Sequence, residues 1–154
     1  KRVVIISLLL LLVSVIGISS YFLFKDKINL LDVDHSAVDW NGKKQKDTSG
    51  EENTIAIPGF EKVTLYANET TQAVNFHNPE INDCYFKISL IHPDGSVLWI
   101  SDLIEPGKGM YSIELEKTLA VGEYENAVLK YECFSLNDQS PLNGSEINLK
   151  LVVV

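Results

Sequence analysis

Few side chains in this sequence have the types needed for chemistry, and they are widely spaced. There are two cysteines, Cys84 and Cys133, and three histidines, His35, His77 and His92. Two cysteines far apart, with no C-x-x-C spacing, point away from thiol–disulfide catalysis and toward a structural disulfide. The alternative is two buried free thiols acting as small apolar side chains. His35 sits in a polar stretch, while His77 and His92 lie beside prolines at predicted strand ends, so all three read as turn residues. No H-x-x-x-H, G-x-S-x-G, P-loop or EF-hand spacing occurs. Asp32, Asp34 and Asp39 lack the central glycine and terminal glutamate of a calcium loop. Glu114, Glu116, Glu123, Glu125 and Glu132 could do acid–base work only if burial pushed their pKa values apart. They alternate with apolar positions or flank turns, and so read as a soluble face that discourages edge pairing. The sequence therefore predicts no catalytic residue, metal site or cofactor. What remains is recognition: Tyr85 and Trp99 form a possible binding face, able to stack on sugar rings or anchor a protein if exposed. Trp99 alternates with Val97 and leans toward the core; Tyr85 has the better chance of exposure.

These residues must be positioned by strands. From Thr54 onward, short apolar runs alternate with turn signals. The predicted strands are Thr54–Ile57, Lys62–Ala67, Gln72–His77, Cys84–His92, Ser96–Ile104, Gly109–Glu116, Glu123–Leu136 and Ser145–Val154. The separators include Pro58-Gly59, Asn78-Pro79, Pro93-Asp94-Gly95, Pro106-Gly107 and Asn143-Gly144. Period-2 alternation is clearest in two strands. Cys84, Phe86, Ile88 and Leu90 share one face, as do Ala127, Leu129, Tyr131 and Cys133. The expected fold is all-β, an Ig-like antiparallel β-sandwich of 7–8 strands, about the size of such a domain. In that fold the two alternating strands would be antiparallel neighbours. The start of one would meet the end of the other, which brings Cys84 to Cys133. A bond there would close a loop of about 50 residues and add about 2–4 kcal/mol.

Residues 1–24 are different. Val3–Phe24 is a run of 22 uncharged residues. As a helix it would reach about 33 Å, enough to cross a hydrocarbon core of about 30 Å. The run is too long for a signal-peptide core, and Tyr21-Phe22-Leu23-Phe24 continues past its small residues, so an uncleaved single-pass anchor is expected. Lys1 and Arg2 on one side and Lys25 and Lys27 on the other leave orientation weakly specified. Residues 25–52 read as a flexible tether, partly disordered, because Asn41–Glu52 has almost nothing apolar to bury. Residues 53–154 form the predicted domain. They hold six lysines against fourteen acids, which matches the net charge of −8 of the whole chain. That balance lacks the basic footprint of a nucleic-acid binder.

The run Leu119-Ala120-Val121-Gly122-Glu123-Tyr124 resembles the L-x-x-G-x-Y entry to the penultimate strand of many bacterial Ig-like domains, where the tyrosine braces a corner. Cys84…Trp99…Tyr131-x-Cys133 resembles the antibody-type pattern. A strand before Cys84 and a tight hairpin before Trp99 favour a bacterial variant. Asn78-Pro79 through Cys84-Tyr85-Phe86, Asp94-Gly95, Ile104-Glu105-Pro106-Gly107 and Tyr131-Glu132-Cys133 together resemble a family of small anchored proteins of gut-dwelling Gram-positive bacteria. That resemblance implies a host and a cell-membrane location with the C-terminal domain extracytoplasmic, and no activity. The expected function is non-catalytic binding, to a protein partner in a cell-envelope assembly. Carbohydrate binding or adhesion is the alternative, and a hydrolase using acidic residues is a more remote one.

Overall fold

The computed structural model describes residues 30–42 and 54–154. The predicted anchor, residues 25–29 and 43–52 of the predicted tether, and Asn53 of the predicted domain lie outside the described residues. Among the described residues no helix is long and apolar enough to cross a membrane. The regular elements are strands: β1 (Val38–Asp39), β2 (Lys62–Leu65), β3 (Thr71–His77), β4 (Cys84–Ile91), β5 (Val97–Ile100), β6 (Lys108–Glu114), β7 (Gly122–Ser135) and β8 (Pro141–Val153). They form a five-stranded sheet in the order β2-β8-β7-β4-β5 and a three-stranded sheet in the order β1-β6-β3. All pairings are antiparallel except β2 with β8. The class is thus all-β with two sheets, an arrangement consistent with a β-sandwich.

The core follows from period-2 alternation. Inward residues Phe86, Ile88 and Leu90 of β4 and Ala127, Leu129 and Tyr131 of β7 join Phe76 of β3 and Met110 and Ile113 of β6 in one apolar cluster. Phe86 and Tyr131 meet edge to face at 5.3 Å between ring centroids, and Phe76 reaches across to Trp99 at 5.8 Å. Burying a side chain of this size stabilises the fold by about 1.5–3 kcal/mol. At the entry to β7, the Tyr124 hydroxyl donates to the Ala120 carbonyl at 2.9 Å, a brace across the corner.

The larger departures from the sequence expectation are three, each with a local reason. Residues 54–57 run without a strand ladder. The buried Asn82 amide takes the place of a neighbouring strand there, accepting from Ala56 N–H at 2.8 Å and donating to its carbonyl at 3.0 Å. β5 ends at Ile100, where Ser101 turns inward and its hydroxyl accepts from Ile88 N–H. β8 starts before Asn143-Gly144, a predicted turn. The pairing of Tyr131 with Ser145 and of Cys133 with Leu142 makes that pair a bulge within the strand. A Cβ on Gly144 would lie 2.2 Å from the Tyr131 carbonyl oxygen, so only glycine fits the close approach.

Where the sequence reads as a tether, residues 31–42 lie as a strap along the two-sheet body. Asp34 N–H donates to Leu103, Leu103 N–H to Asp32 and Trp40 N–H to Gly107. Val38 and Asp39 pair with Gly109 and Lys108, which adds β1 to the edge of β6. At the start of the strap, Gln139 clamps Leu31 twice, accepting from its N–H and donating to its carbonyl. Gln139 does so in a left-handed backbone conformation (φ 55°), which residues other than Gly, Asn and Asp seldom adopt.

Candidate functional site

Four groups of side chains qualify as candidates: the thiols, the aromatic pair, the charged clusters and the strap with what it covers. The thiols sit where β4 begins and β7 ends. Cys84 is opposite Ser135, and Cys133 is opposite Phe86. Both face inward and are buried. The strand pairing behind the predicted disulfide is therefore present, but the cysteines are diagonal neighbours and not directly opposed. They stand 4.4 Å apart as free thiols, and the predicted disulfide is absent. An offset of two residues separates facing side chains far more than a direct pair does. Burial pushes the Cys133 thiol up, toward its protonated form. Buried in this way, the two act as small core residues.

The aromatic pair divides between the two faces of the sheet. Trp99 is only 6% exposed and packs on Phe76. A register shift between Leu90 and Ile91 lets β5 bury two successive residues, Leu98 and Trp99, so simple alternation fails there. Tyr85 lies on the outer face opposite Phe134, half-buried. Tyr85 and Trp99 therefore lie on opposite faces of the sheet.

Several charged residues pair on the surface. Lys150 bridges Glu123 and Glu125, and Lys130 pairs with Glu132 at 3.5 Å. Glu114 accepts from the Thr71 hydroxyl at 2.7 Å, and hydrogen bonds from Thr70 and Thr71 hold its carboxyl below the usual range. Hydrogen bonds from the Ser96 side chain and backbone, with the His92 imidazole at 2.9 Å in the β4–β5 turn, hold the Asp94 carboxyl well below the usual range. Among the described residues no three His, Cys, Asp or Glu side chains converge as metal ligands. An open depression of about 340 Å³ lies along the bulged β7–β8 ladder, between Lys130, Phe134, Leu142 and Glu146.

The strap supplies a cluster that sequence reasoning missed. The Trp40 indole lies parallel to the His77 imidazole, 3.8 Å between centroids, and its Nε1–H donates to Asn75 at 2.7 Å. It packs over Gly109, where a Cβ would come within 2.9 Å of the indole. His77 is buried, and its Nδ1 has no hydrogen-bond partner. Burial lowers its pKa, so the ring is held neutral. The available signal was the apolar set Leu31, Val38 and Trp40 ahead of the polar run Asn41–Glu52.

On the outer face of the five-stranded sheet, Val97, Ile91 and Val128 form one cross-strand row, with Ile100 beside Ser89 next to it. Val97 and Ile100 are both 46% exposed. Lys87 opposite Glu132, and Lys130 opposite Glu146, border this aliphatic patch with balanced charge. Comparison with known proteins finds no matching family, no curated relative and no solved structure similar to this chain.

Proposed function

We propose that this is a membrane-anchored, extracytoplasmic Ig-like module that binds a protein partner and does no catalysis. The observation that carries the reading is the outer face of the five-stranded sheet. Val97, Ile100, Ile91 and Val128 offer a flat aliphatic surface with balanced charge at its border, on a chain that is otherwise strongly acidic. Aliphatic side chains on a flat sheet suit a protein surface, whereas sugar rings are bound by exposed aromatics. With Trp99 in the core, carbohydrate binding loses its main support.

The Ig-like assignment is supported by topology and by the corner. Parallel β2 beside β8, the central β7–β4 pair and the Tyr124 brace near the start of the penultimate strand are features of such domains. The anchor is Val3–Phe24. With the thiols free, no disulfide supports extracytoplasmic placement, which rests on the resemblance to anchored Gram-positive proteins. The test is cross-linking on intact cells, followed by purification of the full chain and of a Val97→Asp/Ile100→Asp variant. A partner captured by the wild type and lost with the variant supports the proposal. Equal capture by both removes this face from the reading.

A further inference from the structure

We propose that the end of the two-sheet body formed by the β3–β4 and β7–β8 connections rests on the bilayer that carries the chain's own N-terminal segment. Ile81, Leu136 and Leu142 supply the apolar contact. The proposal depends on Val3–Phe24 being a membrane anchor, as put forward above.

The strap makes this a question of reach. Had residues 25–52 been a free tether, the domain could have stood at many heights and orientations. With Leu31 clamped by Gln139 in the β7–β8 connection, only residues 25–30 separate the apolar run from the folded body. Six residues span at most about 20 Å when fully extended. The end bearing Gln139 is then limited to about 20 Å from the end of the apolar run, a limit that the opposite end does not share.

Exposed apolar side chains gather at that same end. The register of Cys84 with Ser135 places the start of β4 beside the end of β7. Ile81 precedes that point and is 64% exposed; Leu136 follows it and is 40% exposed; Leu142, opposite Cys133, is 44% exposed. Tyr66, Val121 and Val154 are exposed at the far end too, so exposure alone does not choose between them. The chain entry point does. A contact this small would bind a membrane weakly from solution, but tethering to the same bilayer makes the second attachment intramolecular. Glu80, Asp83 and Asp138 are exposed around the apolar residues and would lie at headgroup level. They suit a zwitterionic surface better than an anionic one.

The full chain is reconstituted into vesicles of phosphatidylcholine with brominated acyl chains, carrying one added tryptophan as Ile81→Trp, Leu136→Trp or Val121→Trp. All three positions are at the surface, and thermal unfolding of each variant checks that the fold is kept. After subtraction of the wild-type signal, the Ile81 and Leu136 reporters should be quenched roughly twofold or more beyond the Val121 reporter. Equal quenching at the two ends, or none at either, overturns the proposal. Flotation of the chain with salt-washed vesicles, and its loss on removing residues 1–24, reports separately on the anchor. If the full chain fails to float, the anchor reading falls and this contact falls with it.

Discussion

The β4–β7 pair and the strap 31–42 are both β-paired to the body of this protein, yet they are held by different forces. β4 and β7 run antiparallel through eight consecutive residue pairs and bury nearly every inward side chain. The strap has a two-residue strand, scattered backbone hydrogen bonds and one ring stack. One region is secured by area removed from water, which is non-directional and cumulative. The other depends on a few directional contacts, each worth about 0.5–1.5 kcal/mol net, so losing one matters locally. The difference teaches where this fold is robust and where it can open.

The largest effect should come from the first region. Phe86→Ala removes a fully buried ring that packs on Tyr131 and should cost about 3–5 kcal/mol. That is a large share of the ~5–15 kcal/mol typical of a native fold. Urea unfolding of the full chain in detergent micelles, followed by far-UV circular dichroism, would show it as a lower midpoint. A cost no greater than that of a strap variant would break the comparison.

Trp40→Ala tests the second region. It removes the stack on His77 and the hydrogen bond to Asn75, and uncovers Gly109. The expected loss is about 1–3 kcal/mol, since the indole is only half-buried. Amide hydrogen exchange sharpens the contrast: protection should fall along β1 and the facing part of β6, and stay unchanged in β4 and β7.

The smallest effect is a pH dependence in the strap. His77 is buried with an orphan Nδ1, and burial lowers its pKa from the ordinary 6.5. Below 6.5 the unfolded chain therefore takes up a proton that the folded chain resists. The stabilisation is complete above 6.5 and declines as pH falls toward the folded value. Urea midpoints measured across mildly acidic pH should fall in the wild type, and His77→Gln should flatten that part of the profile. An equal slope in the variant would remove His77 as its source.

Much of the first region was legible along the chain. Alternation at Cys84-Phe86-Ile88-Leu90 and Ala127-Leu129-Tyr131-Cys133 identified both strands and their inward faces, because side-chain direction repeats every two residues. The Leu119–Tyr124 run pointed to a corner, and Tyr124 makes it. Other features had no such period. Val38-Asp39 is too short to show one. Residues 54–57 look like a strand but bond to the Asn82 side chain. Leu98 and Trp99 are both buried because a register shift intervenes. The disulfide expectation chose the right strands and the right face, and missed by the two-residue offset that makes Cys84 and Cys133 diagonal.

The amino-acid order was enough to establish the β class, the inward faces of the long strands, the acidic surface and the separate apolar run at the start. These depend on local patterning and composition, which do not change when the chain folds. Only the assembled molecule could decide that residues 31–42 join the body, that the thiols remain unbonded, that Trp99 is core and that an aliphatic patch faces outward. Each of those outcomes turns on register, and a shift of one or two residues between strands distant in sequence is enough to reverse it.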